Sequence, residues 1–428
     1  MLLPPGPQAP AAIQTYEWVA RPTALMRRCQ ARYGEPFTLK IAWADAPMVF
    51  VSDPQELKRV FTAGPDVLRA GASSTVLEPF AGPHSILVLD GDEHLRERRL
   101  MLPPFHGEAL ARWRQTMADL AAAELDGWTP GRPVHTQRRM QALTLEVILR
   151  GVFGSGDPAL RDAIRRTLDM TTSLPRLWAM GVLPRGAGPW RTFIRAVHEL
   201  DDLIYERADR SLDDGSVLAV LKAADPEPAQ LRDQLVTLLA AGHETTAGSL
   251  AWALERLARH PDILARMREE DDDEYLDAVV KEVLRSRPVL AIAPRQVVSS
   301  FAVGGWTLPP GVHVTPCIYL THRRPELWGD PAAFRPERFL NGAAPPPYAF
   351  IPFGGGTRRC LGAAFATLEM REVLRAVAGR FALRPAHRHA ERMRRRSITM
   401  TPSRGGYVVP EPLASSAARC RSSAVTTA

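Results

Sequence analysis

Phe353-Gly-Gly-Gly-Thr-Arg-Arg-Cys-Leu-Gly362 is the stretch on which the reading of this chain turns. Three successive glycines make a turn that few side chains could follow, and the residues after it change character at once. Leu361, Phe365, Leu368, Leu374 and Val377 recur at helical spacing, so a helix opens beside Cys360 and packs an apolar face on a core. A thiol at a helix start lies near unpaired backbone N–H groups and the positive dipole end, which favours the thiolate, and Arg358 and Arg359 add cations just before it. Such a sulfur suits a metal. A buried structural cysteine is the plainer alternative, but it leaves the surrounding pattern unexplained. A phosphate loop is a poor competitor, since no Gly-Lys-Ser/Thr follows Gly354 to Gly356.

The spacing Phe-x-x-Gly-x-Arg-x-Cys-x-Gly, met by Phe353, Gly356, Arg358, Cys360 and Gly362, resembles the haem-binding loop of the cytochrome P450 monooxygenases. The resemblance implies one large, mainly α-helical domain with a small β portion. It also implies heme b (iron protoporphyrin IX), with Cys360 as its axial thiolate. On the same resemblance His94 and Arg98, four apart on one helical face, join Arg295 and Arg358 as partners of the haem propionates, because guanidinium pairs well with carboxylate.

Ala241-Gly-His-Glu-Thr-Thr246 lies inside an apolar helical run, where a carboxylate and a hydroxyl need hydrogen-bond partners. It is similar to the family's Ala-Gly-x-Asp/Glu-Thr-Thr motif. The implied roles are catalytic: Thr245 holds iron-bound oxygen and a water, and Glu244 relays protons. Gly242 would leave room for a flat macrocycle. A zinc-protease His-Glu-x-x-His fails, since position 247 is alanine. Glu282 and Arg285, three apart on a helix, and Arg338 in Pro336-Glu-Arg-Phe339 match a buried charge network that holds the segment before the cysteine loop.

The substrate pocket is expected among Val76, Leu77, Phe80, Ile86 and Leu87 of the glycine- and proline-rich 64–90 loop, with Leu238, Ala241, Leu290, Ala291, Ile292 and Ile398. Such a lining prefers a hydrophobic small molecule: a terpenoid, a steroid or a fatty acid.

Composition is that of a soluble globular protein. Four cysteines, Cys29, Cys317, Cys360 and Cys420, show no Cys-x-x-Cys spacing, which fits a reducing cytoplasm rather than a disulfide scaffold. Met1 to Pro7 is too short and proline-rich to anchor a membrane, and Leu235 to Leu254 is interrupted by His243 and Glu244. The expectation is therefore a monomer with no membrane partner. The net charge of +7 permits a nucleic-acid partner, but no RNA motif or zinc-finger spacing supports one. Arg96, Arg98, Arg99, Arg112 and Arg114, placed on one helix, and Arg358, Arg359, Arg371 and Arg375 gather near the cysteine loop instead. In the family that face admits electrons, which implies an acidic ferredoxin or flavodoxin with its NAD(P)H reductase; the alternative is a solvated surface with no partner.

Along the chain, a proline-rich segment (1–14) precedes the catalytic domain (15–410), and a tail (411–428) is expected to be disordered. Strands are expected at Phe37 to Ile41 and Met48 to Val51, with Asp53-Pro54 opening a helix. Further helices fall near 92–127, 138–152, 157–170, 189–211, 216–223 and 228–260. A proline-rich meander runs from Pro309 to Pro352, and a terminal hairpin spans Ser397 to Val409. The implied activity is insertion of one oxygen atom of O2 into a C–H or C=C bond. A peroxide-driven or isomerising relative, or a non-catalytic haem-binding sensor, is the alternative.

Overall fold

Proline decides where many of the helices begin. Its fixed φ suits the first helical turn and its missing N–H costs nothing there. In the computed structural model, which describes residues 2–42, 44–154, 156–172, 188–210, 215–342 and 344–413, five α-helices of six or more residues start on one. These are α2 (Pro22–Tyr33), α3 (Pro54–Thr62), α7 (Pro158–Thr172), α10 (Pro228–Leu257) and α11 (Pro261–Glu270). Asp53 caps α3 by accepting from the N–H groups of Gln55 (2.9 Å) and Glu56 (3.3 Å).

The other α-helices of six or more residues are α1 (Ala11–Ala20), α4 (Gly91–Met101), α5 (Gly107–Asp126), α6 (Thr136–Phe153), α8 (Gly188–Asp209), α9 (Val217–Lys222), α12 (Asp273–Ser286) and α13 (Ala363–Arg380). The single helix expected over 92–127 is two. Pro103 and Pro104 break it with a short 3-10 turn, because neither can donate to the preceding carbonyls. Arg112 and Arg114 are thus on a different helix from Arg96 to Arg99.

Most of α10 is buried, and it crosses α6 at its middle. A Cβ on Gly242 would come 2.9 Å from Ile148 Cδ1. This corrects the expected use of that glycine: it lets α10 and α6 approach each other, and the small residue turned outward is its neighbour Ala241. Around this crossing the main core joins Leu235, Trp252 and Leu254 of α10 to Leu149 and Phe153 of α6, Val279 of α12 and Leu374 of α13.

The β portion is peripheral. Strands β1 (Phe37–Leu39), β2 (Met48–Val51), β3 (Leu68–Arg69), β5 (Arg295–Val297) and β8 (His313–Pro316) form one sheet in the order β1-β2-β8-β5-β3. Only β2–β8 is parallel, with Met48 opposite His313. The proline-rich start lies along β1: Thr38 donates from N to Pro5 O (2.9 Å) and from Oγ1 to Pro4 O (2.7 Å). Strands β4 (Val134–His135), β9 (Phe381–Pro385) and β12 (Tyr407–Pro412) form a second sheet, and β6 (Phe301–Val303) pairs with β7 (Trp306–Leu308).

The terminal hairpin is β10 (Met393–Arg396) with β11 (Thr399–Pro402), so Ser397 and Ile398 form its turn. β12 pairs elsewhere, against β9 and β4. Glu411 and Pro412, expected in the tail, belong to β12; residues 414–428 lie outside the described residues.

Candidate functional site

The cysteine loop is shaped by what lies behind it. Gly354 and Gly356 have φ of +68° and +64°, and a Cβ on Gly356 would collide with the carbonyl oxygen of Phe61 at the end of α3. Phe61 is stacked on Tyr348, with centroids 6.0 Å apart. The loop closes when Cys360 N donates to Phe353 O (2.9 Å), while Phe353 packs on the main core and Gly362 precedes α13 as its N-cap.

Cys360 therefore stands three residues before the helix. Its surface is exposed, yet burial is the largest influence on its thiol. The two agree for a sulfur in a recess, which solvent reaches although protein surrounds it. Burial pushes the thiol above its ordinary pKa, and the Gly362 N–H, Arg98 and Arg359 only partly offset this. The expected stabilisation of the thiolate is thus not supplied by the helix end; a metal ion would supply it, because coordination deprotonates a thiol.

Basic side chains converge beside the sulfur. His94, on α4, is buried, and its pKa falls to about 4 through burial and the charges of Arg358, Arg98 and Arg295, with Asp90 opposing. Arg98 is held below its usual value by burial, while the nearby Cys360 pulls it up. Arg295, on β5, donates among the described residues to the carbonyls of Ala293 (3.2 Å) and Pro294 (2.9 Å), over the Phe61 ring at 5.6 Å. Burial and the Arg358 charge lower it to about 10. The four expected residues do come together, but Arg358 is already engaged. It donates to Ile86 O (3.0 Å), to Leu89 O and to Asp90 Oδ1 (2.5 Å).

Asp90 escaped the sequence reading because it immediately precedes α4 and looks like a cap. Its side chain makes no cap bond. It accepts instead from the N–H groups of Ala70 (3.0 Å), Gly71 (2.9 Å) and Ala72 (3.0 Å). One carboxylate thus faces His94, Arg295 and Arg358, with Arg98 close to His94, and the basic surplus fits a ligand carrying carboxylates of its own.

Ala241 is exposed although its helix is mostly buried, so α10 is uncovered at that point. Thr245, one turn on, is half-buried and donates from Oγ1 to Ala241 O (2.7 Å). Glu244 points elsewhere, as it must: successive residues on a helix are turned by about 100°. Its Oε2 accepts from Gln141 Nε2 (2.6 Å), its Oε1 lies 3.5 Å from Arg396 Nε, and Arg396 reaches Asp169 Oδ1 at 3.5 Å. Burial raises the Glu244 pKa, with Arg396 and Gln141 opposing. The expected pair is therefore two groups facing different surroundings. Gln141 and Arg396 carry no local signal that would have revealed them.

Glu282 and Arg285 are fully buried and bidentate, at 2.7 Å for each bond. Arg285 also donates to the carbonyls of His322, Pro331 and Ala333, and Arg335 N donates to Glu282 Oε1 (2.9 Å). Arg338 Nε lies 3.6 Å from Glu282 and its Nη atoms donate to Trp328 O and Asp330 O. The three expected residues meet and fasten α12 to the meander.

The expected pocket residues divide. Ala291 is buried in a second core with Trp18, Met26 and Cys317. Leu290 and Ile292 sit half-buried at the edges of two different clusters. Ile86 and Leu238 are buried in the main core, with Phe80 packed against it. Leu77 and Leu87 are half-buried, whereas Val76 (77%) and Ile398 (46%) are exposed. The arginine cluster is corrected. Arg114, Arg371 and Arg375 are absorbed by Asp271, Asp273, Asp277 and Glu372, with Arg114 to Glu372 at 2.9 Å and Arg371 to Asp273 at 2.5 Å.

With this geometry in view, comparison with known proteins decides the family. The sequence profile of Cytochrome P450 matches residues 4–409. The chain belongs to the cytochrome P450 family. A Mycobacterium tuberculosis protein provisionally named cytochrome P450 135B1 is 41% identical, over 95% of this chain and 91% of its own length. Another from that organism, provisionally named cytochrome P450 138, is 38% identical over 95% and 96%. Among solved structures, a retinoic acid-bound cyanobacterial CYP120A1 superposes with a TM-score of 0.84 at 25% identity, covering 96% of this chain and all of that one. A six-coordinated cytochrome P450 from Thermus thermophilus gives 0.73 at 26% identity, covering 91% and 98%. The P450 cofactor is haem with an axial cysteine thiolate, and the basic cluster, the recessed Cys360 and the outward Ala241 suit it. Among the described residues no helix is long and apolar enough to cross a membrane.

Proposed function

We propose that this P450 inserts one oxygen atom of O2 into a hydrophobic small molecule, terpenoid, steroid or fatty-acid-like. Electrons would come from NAD(P)H through a separate acidic ferredoxin or flavodoxin. The observation that carries this reading is the arrangement on α10: a small outward residue and a hydroxyl at the recess, with a buried acid behind them.

Bound haem supplies activation of O2; the protein residues supply placement and protons. Cys360 would hold the metal, and His94, Arg98, Arg295 and Arg358 would hold the carboxylates. Thr245 keeps its proton on Ala241 O, so its oxygen accepts from the recess side, and a rotation of χ1 turns the same hydroxyl into a donor. Glu244, its pKa raised by burial, holds a proton more readily than a solvated carboxylate does. Its route outward is graded: side-chain exposure rises from 15% at Glu244 to 28% at Arg396 and 61% at Asp169. Glu244 does not touch Thr245, so a water or a side-chain rotation must complete the relay.

The redox partner would meet the exposed Arg96, Arg99, Arg112 and Arg359, which remain once Arg114 and the α13 arginines are set aside. The deciding experiment is turnover of apolar compounds with NADPH and surrogate redox proteins under isotopically labelled O2. Label in the product supports a monooxygenase. Turnover with peroxide alone would favour the peroxide-driven alternative, and ligand-induced spectral shifts without turnover would favour a sensor. Cys360→His tests the ligand separately. The wild-type reduced carbonyl complex should show the red-shifted Soret band of a thiolate, and the variant should lose it.

A further inference from the structure

Residues 384–404 hold seven arginines and one acid, Glu391, a net of +6 in a chain whose whole formal charge is +7. Glu391 is buried and spent on Ser403 Oγ (2.9 Å) and Arg404 N (2.7 Å). Arg384 pairs with Glu411 and Arg396 with Asp169 and Glu244. Among the described residues Arg388, Arg392, Arg394 and Arg404 form no ion pair, and all four are exposed. Backbone bonds hold them together: Ser403 N donates to Arg392 O (2.9 Å), and Gln137 N donates to Gly405 O (3.0 Å), which brings exposed Arg138 alongside.

Next to this charge lies an uncovered apolar surface. α1 packs against β10, and the Arg395 guanidinium sits 5.1 Å over the ring of Trp18 on α1. Trp18 and Gln14 turn inward, which leaves Ile13 (51%), Tyr16 (72%) and Ala20 outward, three and four apart on one face. The one charge on α1, Glu17, pairs with Arg28 at 2.6 Å.

We infer that α1, β10 and the loop before β10 form a docking face for an anionic phospholipid surface, on which the protein rests without spanning it. Unpaired arginines seek phosphate, and side chains such as Ile13 and Tyr16 gain by entering the headgroup boundary. A soluble polyanion would use the arginines and leave the apolar face idle. Ile398, at the turn of the same hairpin, is among the residues expected in the apolar pocket; if the proposed function holds, docking brings that turn close to a store of hydrophobic substrate.

Flotation of the haem-loaded full chain tests this directly. It should bind vesicles of mixed phosphatidylcholine and phosphatidylglycerol, bind pure phosphatidylcholine far less, and release as salt rises. Each of Arg388→Ala, Arg392→Ala and Arg394→Ala should lower partitioning about fivefold. Ile13→Ser with Tyr16→Ser should lower it further, whereas Arg165→Ala, an equal loss of charge elsewhere, should leave it unchanged. Circular dichroism would certify that each variant is folded. Three results would overturn the inference: no binding to the anionic vesicles at low salt, equal loss in the control variant, or heparin binding of the same strength with no effect of Ile13 and Tyr16 on vesicle binding.

Discussion

Alanine at each of two neighbouring glycines should separate two physical costs in the cysteine loop. Gly354 has φ of +68° and nothing within 4 Å of where a Cβ would stand, so Gly354→Ala meets only the left-handed penalty, about 1–2 kcal/mol. Gly356 carries the same penalty at +64°, and its Cβ would in addition strike Phe61 O, a backbone atom that no rotamer change can move. Overpacking of that kind adds about 1–3 kcal/mol, so Gly356→Ala should cost about 2–5 kcal/mol in all. The collision would also push the loop off α3 and displace the sulfur. Denaturant unfolding of the haem-loaded protein reads the first effect. The fraction of reduced carbonyl complex with the red-shifted band reads the second, which Gly354→Ala should largely keep and Gly356→Ala should lose. Equal costs and equal spectra for the two variants would refute the claim that Phe61 shapes the loop.

Thr245→Ala should preserve haem content and substrate binding while diverting reducing equivalents to hydrogen peroxide; unchanged coupling of NADPH consumption to product would assign the hydroxyl a structural part. Glu282→Gln leaves the buried Arg285 without its counter-charge and should cost about 3–5 kcal/mol in denaturant unfolding; a loss below about 1 kcal/mol would mean that the carbonyls of His322, Pro331 and Ala333 suffice. His243, buried beside Arg396, has its pKa lowered to about 4, so the unfolded chain binds its proton first and stability falls as pH drops from about 6.5 to 4. The loss is of order 3 kcal/mol, and a His243→Gln variant should flatten that part of the stability profile.

Residues whose partners are fixed by local spacing could be read from the sequence. Glu282 and Arg285 sit one turn apart, and the cysteine loop is a run of ten. Proline marks the helix starts for the same local reason, and the break at Pro103-Pro104 is masked because the apolar pattern resumes on both sides of it. What stayed hidden depends on distant chain. Asp271, Asp273 and Asp277 cancel arginines about a hundred residues away, so a basic run in sequence is not a basic face in space. Asp90 carried a misleading local signal, and Glu244 takes its partners from two other elements.

Asp90 also ties two equilibria together. The same carboxylate anchors the Ala70 to Ala72 backbone and neutralises Arg358, so an anion that takes hold of Arg358 competes with Asp90 for it. Linkage is reciprocal: whatever cofactor occupancy does to the freedom of residues 70–72, fixing those residues does in equal measure to cofactor affinity. Amide hydrogen exchange at Ala70, Gly71 and Ala72 should therefore differ between haem-free and haem-loaded protein, and Asp90→Asn should shrink that difference. Mobility at the mouth of the recess would then be set partly by how firmly the cofactor is held.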